Sequence, residues 1–432
     1  MFAGIAEIDI TPTGSVWMDG MIRSHRSTGV HDHLRACALY LAPGTDPSAA
    51  FVLVAIDLIG LADADAADAR RGAARATGIP TDRIILAASH THSGPTTLGL
   101  LNPTETEYVR ELVQKLVRVI QEAAAAALPA ATGCASGTED SISHYRRLLA
   151  RDGHVVMNWE PYPADQIVRP LGEVDPELGV LRVTRQDDGR DLCILFNHAG
   201  HPNVLSGDNY RISADYPGLA TQLLREKYGC PAMFLNGAQG TMDIDGLRDR
   251  DWEGRERIGK TLAEAVGKVL SGMTVSPAAR MRSASIRYRL PSRRISQAEY
   301  AWAAKILSET GGTLKALADG VGDDFKARLL HELRDREDAD NPVEQICLAL
   351  DDTALISFPG ELFTEIGQQI KNASPFERTY VVGLANGYIG YVPTREAISQ
   401  GGYEVDVRRL DDGAAEVIAE RSLSLLREVH RQ

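Results

Sequence analysis

Two histidines at the end of an apolar run are the residues of this sequence best suited to chemistry. The segment Ile84–Ala88 is aliphatic throughout and is followed by Ser89-His-Thr-His-Ser-Gly-Pro95. Such a run indicates a strand buried on both faces, which the Gly-Pro pair ends. Because alternate residues of an extended chain point the same way, His90 and His92 are predicted to face one cavity. They could hold a metal such as zinc, or be polar strand-end residues that bond to backbone or water.

Polar groups follow several other apolar runs, and together they are typical of a hydrolytic metal centre. Two or three imidazoles with one carboxylate suit zinc or iron and leave a position for water, whose pKa the metal lowers to near 7. The sequence has no His-Glu-x-x-His, which excludes a thermolysin-type zinc site, and no Gly-x-Ser-x-Gly, which excludes a nucleophile elbow. It also lacks a phosphate-binding loop. The groups are His198 and His201, Asn236–Asp243, Glu361, and Tyr388 with Tyr391.

The elements that must position these groups alternate between strand and helix. An apolar run at Phe51–Ile59, an Ala-rich amphipathic segment at Ala62–Ala76 and the His-Thr-His run indicate a strand–helix–strand unit. We therefore predict an α/β fold of mixed sheets covered by helices, with the catalytic site at strand ends and loops. No repeat or low-complexity linker divides the chain, so residues 1–432 are predicted to form a single domain with a helical insertion around 296–340.

Composition and charge exclude several classes of protein. The net charge of the 432 residues is −13, which argues against nucleic-acid binding. No apolar run reaches the ~20 residues that span a bilayer, so we expect no stable membrane insertion. The first residues include Glu7 and Asp9 and lack the features of a secretory signal, so a cytoplasmic protein is expected. The five cysteines form no Cys-x-x-Cys pair and predict neither a disulfide framework nor a thiolate metal site.

The motifs, taken in order, resemble the amino-terminal catalytic domain of the neutral (neutral/alkaline, non-lysosomal) ceramidases. The resemblance covers nearly the whole chain and implies a zinc amidase, since members of that family cut the N-acyl bond of ceramide. It is carried by Ala6-Glu-Ile-Asp-Ile-Thr-Pro12, Thr28-Gly-Val-His31, Ser89–Pro95, His201 with Ile212-Ser-Ala-Asp215, Asn236-Gly-Ala-Gln-Gly240, Phe358-Pro-Gly-Glu361, Asn386-Gly-Tyr-Ile-Gly-Tyr391 and Gly402-Tyr-Glu404.

The resemblance also implies a ligand set. In the family, zinc is held by the first histidine of His-Thr-His, a later histidine, the glutamate of Pro-Gly-Glu and a tyrosine. One Zn²⁺ per chain is therefore expected, with His90, His201, Glu361 and Tyr391 as ligands. Tyr388 is the alternative to Tyr391, and the spacing of the family motif favours Tyr391.

Catalytic and substrate-binding roles are implied in the same way. His92 would contact the water or the leaving group, Arg146 would polarise the substrate carbonyl, and Tyr403 would hydrogen-bond the tetrahedral centre. Three further polar residues are assigned to substrate binding: His31, His198 and Asp243.

The sequence departs from the long ceramidases in ways that bear on the substrate. It is expected to be a short form without the carboxy-terminal β-sandwich, and aromatic residues make up only 6% of it. We therefore expect hydrolysis of a small or medium-sized polar amide rather than ceramide. A zinc-dependent esterase or lactonase and a catalytically inactive ceramidase-fold binding protein are the alternatives. The expected partner is a small-molecule amide or ester, and a homo-oligomer is left open.

Overall fold

The computed structural model describes residues 1–244, 250–317, 320–336 and 338–432, and these form strands and helices in alternation. The helices are α1 (Asp63–Thr77), α2 (Thr106–Ala125), α3 (Asp215–Tyr228), α4 (Trp252–Ser271), α5 (Gln297–Thr310), α6 (Asp323–Arg334), α7 (Thr364–Asn372), α8 (Arg395–Gln400), α9 (Tyr403–Asp406) and α10 (Ala414–Arg431). The strands are β1 (Phe2–Asp9), β2 (Gly29–Val30), β3 (Arg35–Ala42), β4 (Phe51–Ile56), β5 (Ile84–Ala88), β6 (Leu128–Thr138), β7 (Ser143–Tyr145), β8 (Arg147–Ala150), β9 (Val155–Met157), β10 (Ile167–Pro170), β11 (Glu177–Arg185), β12 (Asp191–His198), β13 (Arg211–Ile212), β14 (Ala232–Asn236), β15 (Met242–Ile244), β16 (Met281–Pro291), β17 (Asp340–Leu350), β18 (Thr353–Ser357), β19 (Glu361–Leu362), β20 (Arg378–Val382) and β21 (Tyr391–Val392).

The largest sheet has the strand order β14-β12-β11-β6-β1-β3-β4-β5. Its outer pairs β4/β5 and β12/β14 are parallel, and the pairs between them are antiparallel. The predicted strand–helix–strand unit is β4–α1–β5, and its parallel pairing confirms that part of the prediction. Together with the helices on its surface, this sheet confirms the predicted α/β class with mixed sheets.

A second sheet, β16-β17-β18-β20, packs face to face against the first. Side chains alternate across β3: Leu39 and Leu41 face the second sheet, whereas Ala38 and Tyr40 face the layer of α1 and α2. Both faces of the strand are thus buried, which explains its continuous apolar sequence. Helices α3 and α4 cover the β12/β14 end of the first sheet, and α7 and α10 cover the outer face of the second.

Two predicted segments differ from the structure. The Pro-rich stretch 155–174 is predicted as a loop from its composition but contains β9 and β10, which flank β8 in a small antiparallel sheet. Pro170 is tolerated there because β10 is an edge strand. In the interval 296–340, the sequence predicts a charge-rich helix over 296–317, but α5 ends at Thr310, since Gly311 has a left-handed φ of 62°. Residues 318, 319 and 337 of that interval lie outside the described residues, and the single domain stays a prediction.

None of the helices that the structure describes combines the length and apolar character needed to cross a bilayer.

Candidate metal centre

The histidines of the His-Thr-His segment converge through a turn, and the predicted extended backbone is wrong there. Strand β5 ends at Ala88, and His90 has a φ of +77°, a conformation that costs a non-glycine residue on the order of 1–3 kcal/mol. The backbone N–H of His90 donates to Leu58, and that of His92 donates to Pro202. The ring centroids of His90 and His92 lie 5.0 Å apart. The two side chains do face one cavity, but the left-handed residue brings them together.

A third imidazole, that of His201, joins this pair from the segment after β12. One ligand atom from each of His90, His92 and His201 lies within 4.8 Å of the others, and all three residues are buried. The Nδ1 atoms of His90 and His201 lie 2.8 Å from the carbonyl oxygens of Ile59 and Met242. A carbonyl oxygen can only accept, so each Nδ1 carries a hydrogen, and Nε2 is the nitrogen of each ring that faces the centre.

Glu361 completes the cluster with another acceptor. Its Oε2 lies 3.3 Å from His90 Nε2 and 3.1 Å from His201 Nε2, and it has no hydrogen-bond donor among the residues described. Its Oε1 accepts from the Tyr388 hydroxyl at 2.7 Å. Burial, with the Arg146 charge nearby, lowers the pKa of His201 to about 4, so this ring is neutral at pH 7. The neutral His201 ring therefore presents an Nε2 lone pair to a carboxylate oxygen, with Nε2 of His90 beside them, and two imidazoles with a carboxylate are a donor set suited to a buried divalent cation.

Strand pairing fixes the carboxylate and the phenol relative to each other. The short strands β19 and β21 are parallel, with Glu361 opposite Tyr391. The Tyr391 hydroxyl lies 3.3 Å from His201 Nε2. Tyr388 instead donates to Oε1 of Glu361, the carboxylate oxygen that does not contact the histidines. The two tyrosines that are alternative metal ligands in the sequence prediction therefore make different contacts in the cluster.

Arg146 is buried beside this cluster and is held by a carboxylate that the sequence reasoning missed. Its Nε donates to Glu404 at 2.7 Å, and Arg147 donates to the other oxygen of Glu404 at 2.9 Å. Nη1 of Arg146 lies 3.2 Å from His201 Nε2, whereas its Nη2 is buried without a partner in the described part of the chain. The sequence does contain a signal for Glu404, because this residue directly follows Tyr403 in the Gly-Tyr-Glu motif.

His92 differs from the other two imidazoles because both of its nitrogens lack hydrogen-bond partners within the ranges that the structure describes. Burial, together with the neighbouring histidines, holds its pKa well below the usual range, so the ring is neutral at pH 7. A neutral buried imidazole with free nitrogens can exchange a proton with a bound molecule or bind a metal ion.

The three residues assigned to substrate binding do not line the pocket at this cluster. His31 stacks on Trp252 with ring centroids 3.9 Å apart, and His198 Nε2 lies 3.1 Å from the Glu139 carbonyl oxygen. These contacts suit structural roles, and the assignment of His31 and His198 to the substrate stays a prediction.

Asp243 is fully buried in a polar network of its own. Its Oδ2 accepts from Asn158 at 2.9 Å and from Arg250 at 2.8 Å. The pKa of its carboxyl falls to about 2, because the charges of Arg250 and Arg146 outweigh the cost of burial. Asp243 directly follows Met242, whose carbonyl oxygen accepts from His201 Nδ1. The network of Asp243 therefore helps to fix the backbone that orients this histidine.

A pocket of about 60 Å³ opens onto the cluster. Its polar side contains His90, His92, Glu361, Tyr391 and Tyr403. Its apolar lining comes from the segment after β4, the loop after His-Thr-His, helix α6 and the segment after α9. Sequence reasoning did not single out two charged members of the lining, Asp19 and Arg409. The apolar residues are Ile59, Leu100, Leu101, Phe325, Leu329 and Val407.

Comparison with known proteins finds similarity in structure alone. Neither the protein-family models nor the curated proteins contain a match to this sequence. The crystal structure of neutral ceramidase from Pseudomonas aeruginosa superposes with a TM-score of 0.76 at 19% identity, covering 98% of this chain and 74% of that one. A structure described as ceramidase complexed with C2 gives a TM-score of 0.76 at 18% identity, covering 99% of this chain and 75% of that one. Over nearly its whole length, the chain therefore has the fold of neutral ceramidase.

Proposed function

We propose that the chain is a zinc-dependent hydrolase that cleaves the N-acyl bond of a small or medium-sized polar amide. The proposal rests on the buried acceptor cluster formed by His90, His201 and Glu361. Oε2 of Glu361 lies within 3.3 Å of the Nε2 atoms of both histidines and has no hydrogen-bond donor among the residues described, so a cation between these atoms would compensate its buried charge. The ceramidase fold supports amide hydrolysis as the reaction, and the pocket of about 60 Å³ supports a substrate much smaller than ceramide.

His90, His201, Glu361 and Tyr391 would hold the metal. Two imidazole nitrogens, a carboxylate and a phenol oxygen suit zinc, and both imidazoles have the carbonyl partners typical of metal-ligating histidines. Tyr388 would orient the carboxylate through its 2.7 Å hydrogen bond to Glu361. When bound, zinc lowers the pKa of a water and polarises a carbonyl.

The remaining residues would stabilise charge and move protons. The unpartnered Nη2 of Arg146 can donate to an oxygen that becomes negative, and Glu404 fixes its guanidinium so that no reorganisation is needed. The ring of Tyr403 lies 5.6 Å from that of Tyr391, on the wall of the same pocket, where its hydroxyl can donate to the same oxygen. The neutral ring of His92 can accept a proton from the attacking water and deliver it to the departing nitrogen.

Metal analysis and a matched substrate panel test the proposal. The protein as purified, after chelation and after reconstitution with zinc would be assayed for metal content and for hydrolysis of N-acyl amides and esters that share one acyl group. We expect one zinc per chain and amide cleavage that chelation abolishes and zinc restores. Full activity of the chelated protein would overturn the proposal. Cleavage of esters alone would favour an esterase, and zinc binding without turnover of any substrate would favour a binding protein.

A further inference from the structure

Arg409 lies on the wall of the same pocket as His90 and Glu361, with its guanidinium over an aromatic ring. Its Cζ is 5.9 Å from the centroid of Tyr388. The hydroxyl of that tyrosine is bonded to Glu361. The ring of Tyr388 therefore lies between the guanidinium and Glu361. In this position the guanidinium can contact a substrate that is bound in the pocket.

Among the residues that the structure describes, none accepts a hydrogen bond from the guanidinium of Arg409. Across the described ranges 1–244, 250–317, 320–336 and 338–432, it donates no hydrogen bond and forms no ion pair. Its neighbour Arg408 shows the contrast, since it donates to Val405 and to Asp412, each at 2.8 Å. Burial raises the pKa of the Asp63 carboxyl, and the nearby charge of Arg409 acts in the opposite direction. The hydrogen bond that this carboxylate accepts comes from the backbone N–H of Tyr388. A partly buried guanidinium with free donors is a bidentate binding group for an oxyanion.

The rest of the lining limits which anion fits. The pocket already contains two acids, Asp19 and Glu361, so a single arginine matches a monoanion better than a phosphate dianion. The apolar lining, which includes Leu100, Phe325 and Leu329, suits a hydrocarbon group, and the cavity volume of about 60 Å³ matches a short one. One side of the ligand is thus apolar and the other carries one negative charge.

We propose that the substrate is an N-acylated amino acid with a short apolar acyl group, whose free carboxylate is bound by Arg409. This inference rests on the proposed amide hydrolysis, because it names the substrate class of the same site. Arg409 acts here as a specificity-determining residue that binds the substrate away from the scissile bond, and it takes no part in the chemical step.

The test compares an N-acetyl amino acid with its carboxamide, which differs only in the charged group, on zinc-loaded protein. In Arg409→Met, KM for the carboxylate should rise about 10- to 100-fold with kcat nearly unchanged, since charge-assisted hydrogen bonds are lost. KM for the carboxamide should hardly change. Arg409→Lys should recover part of the preference. Arg110→Met, at an exposed arginine paired with Glu107, is the matched control and should leave both substrates unaffected.

A binding measurement separates failure of this inference from failure of the proposed function. The sulfonamide analogue of the N-acetyl amino acid cannot be hydrolysed, and its affinity for chelated protein should fall about 10-fold or more in Arg409→Met but not in Arg110→Met. Equal affinity in wild type and both Arg409 variants would overturn the inference, as would a wild type that cleaves the carboxamide as well as the carboxylate. Carboxylate-dependent binding without cleavage of any amide would instead overturn the proposed hydrolysis and leave the role of Arg409 standing.

Discussion

Replacing Glu361 by glutamine should have opposite effects on the metal-free and the metal-loaded protein. Oε2 of Glu361 faces the Nε2 atoms of His90 and His201 at 3.3 and 3.1 Å. In the metal-free protein, an amide nitrogen in that position would donate a hydrogen bond to Nε2 of the neutral His201 ring, while the retained oxygen would still accept from Tyr388. In the metal-loaded protein, the same change removes the anionic ligand.

The magnitudes follow from the contacts. A new buried hydrogen bond contributes about 1 kcal/mol net, so the metal-free variant should be as stable as wild type or about 1 kcal/mol more stable. Zinc at 1,000 times its dissociation constant stabilises the folded protein by about 4 kcal/mol. If the variant binds zinc a hundredfold more weakly, about 1.4 kcal/mol of that stabilisation is left at the same zinc concentration. The order of stability of the two proteins should therefore reverse when zinc is added.

Urea unfolding with chelator and with excess zinc measures both arms, and competition with a chromophoric chelator gives the zinc affinity directly. Glu377→Gln is the control, because that side chain is 61% exposed and pairs only with Arg378 among the residues described. Its unfolding curves should match wild type in both conditions. A metal-free Glu361→Gln protein that loses more than about 3 kcal/mol, with zinc affinity unchanged, would refute the reasoning. That result would mean that the carboxylate balances protonated histidines and not a metal.

Three further predictions address neighbouring groups. Tyr388→Phe removes the 2.7 Å hydrogen bond to Glu361 and should weaken zinc binding about 10- to 100-fold in the chelator competition, with an unchanged affinity contradicting the orienting role. Arg146→Lys keeps a cation for Glu404 but loses the free Nη2, so kcat should fall about 100- to 1,000-fold while metal analysis still finds one zinc. Burial raises the pKa of Asp215 to about 6, so the folded protein binds this proton more tightly than the unfolded chain, and the contribution of this carboxyl to stability should fall by on the order of 3 kcal/mol as pH rises from 4 to 7. In Asp215→Asn this loss should be absent, and equal pH slopes in urea unfolding would contradict it.

Local patterns in the sequence were enough to predict most elements of the fold. The amphipathic segment predicted as a helix over 62–76 is α1, Asp63–Thr77, and the apolar run before His90 is β5, Ile84–Ala88. Periodicity and residue type decide such elements within a few turns of chain, so the sequence carries the information locally. The α/β class followed from their alternation.

The details of the candidate site depend on contacts that no local pattern contains. The positive φ of His90 is imposed by hydrogen bonds to the end of the neighbouring strand, and a histidine has no intrinsic preference for it. Glu404 lies 258 residues from Arg146, its partner, and Arg409 is identified as a binding group only by the acceptors that it lacks. Sequence spacing could place residues near the strand ends, but it could not decide which of them face the pocket.

The energetics of the cluster argue that it was selected for binding and not for stability. Holding His90 at a positive φ costs on the order of 1–3 kcal/mol, and burying a carboxylate oxygen without a donor costs a similar amount. Apolar side chains of the same size would avoid the second cost. A divalent cation between His90, His201 and Glu361 would offset the second cost directly, because it would give the buried carboxylate oxygen an attractive partner. Metal binding and folding stability should therefore be strongly coupled, and the chelated protein should unfold at measurably lower urea concentration than the zinc-loaded one.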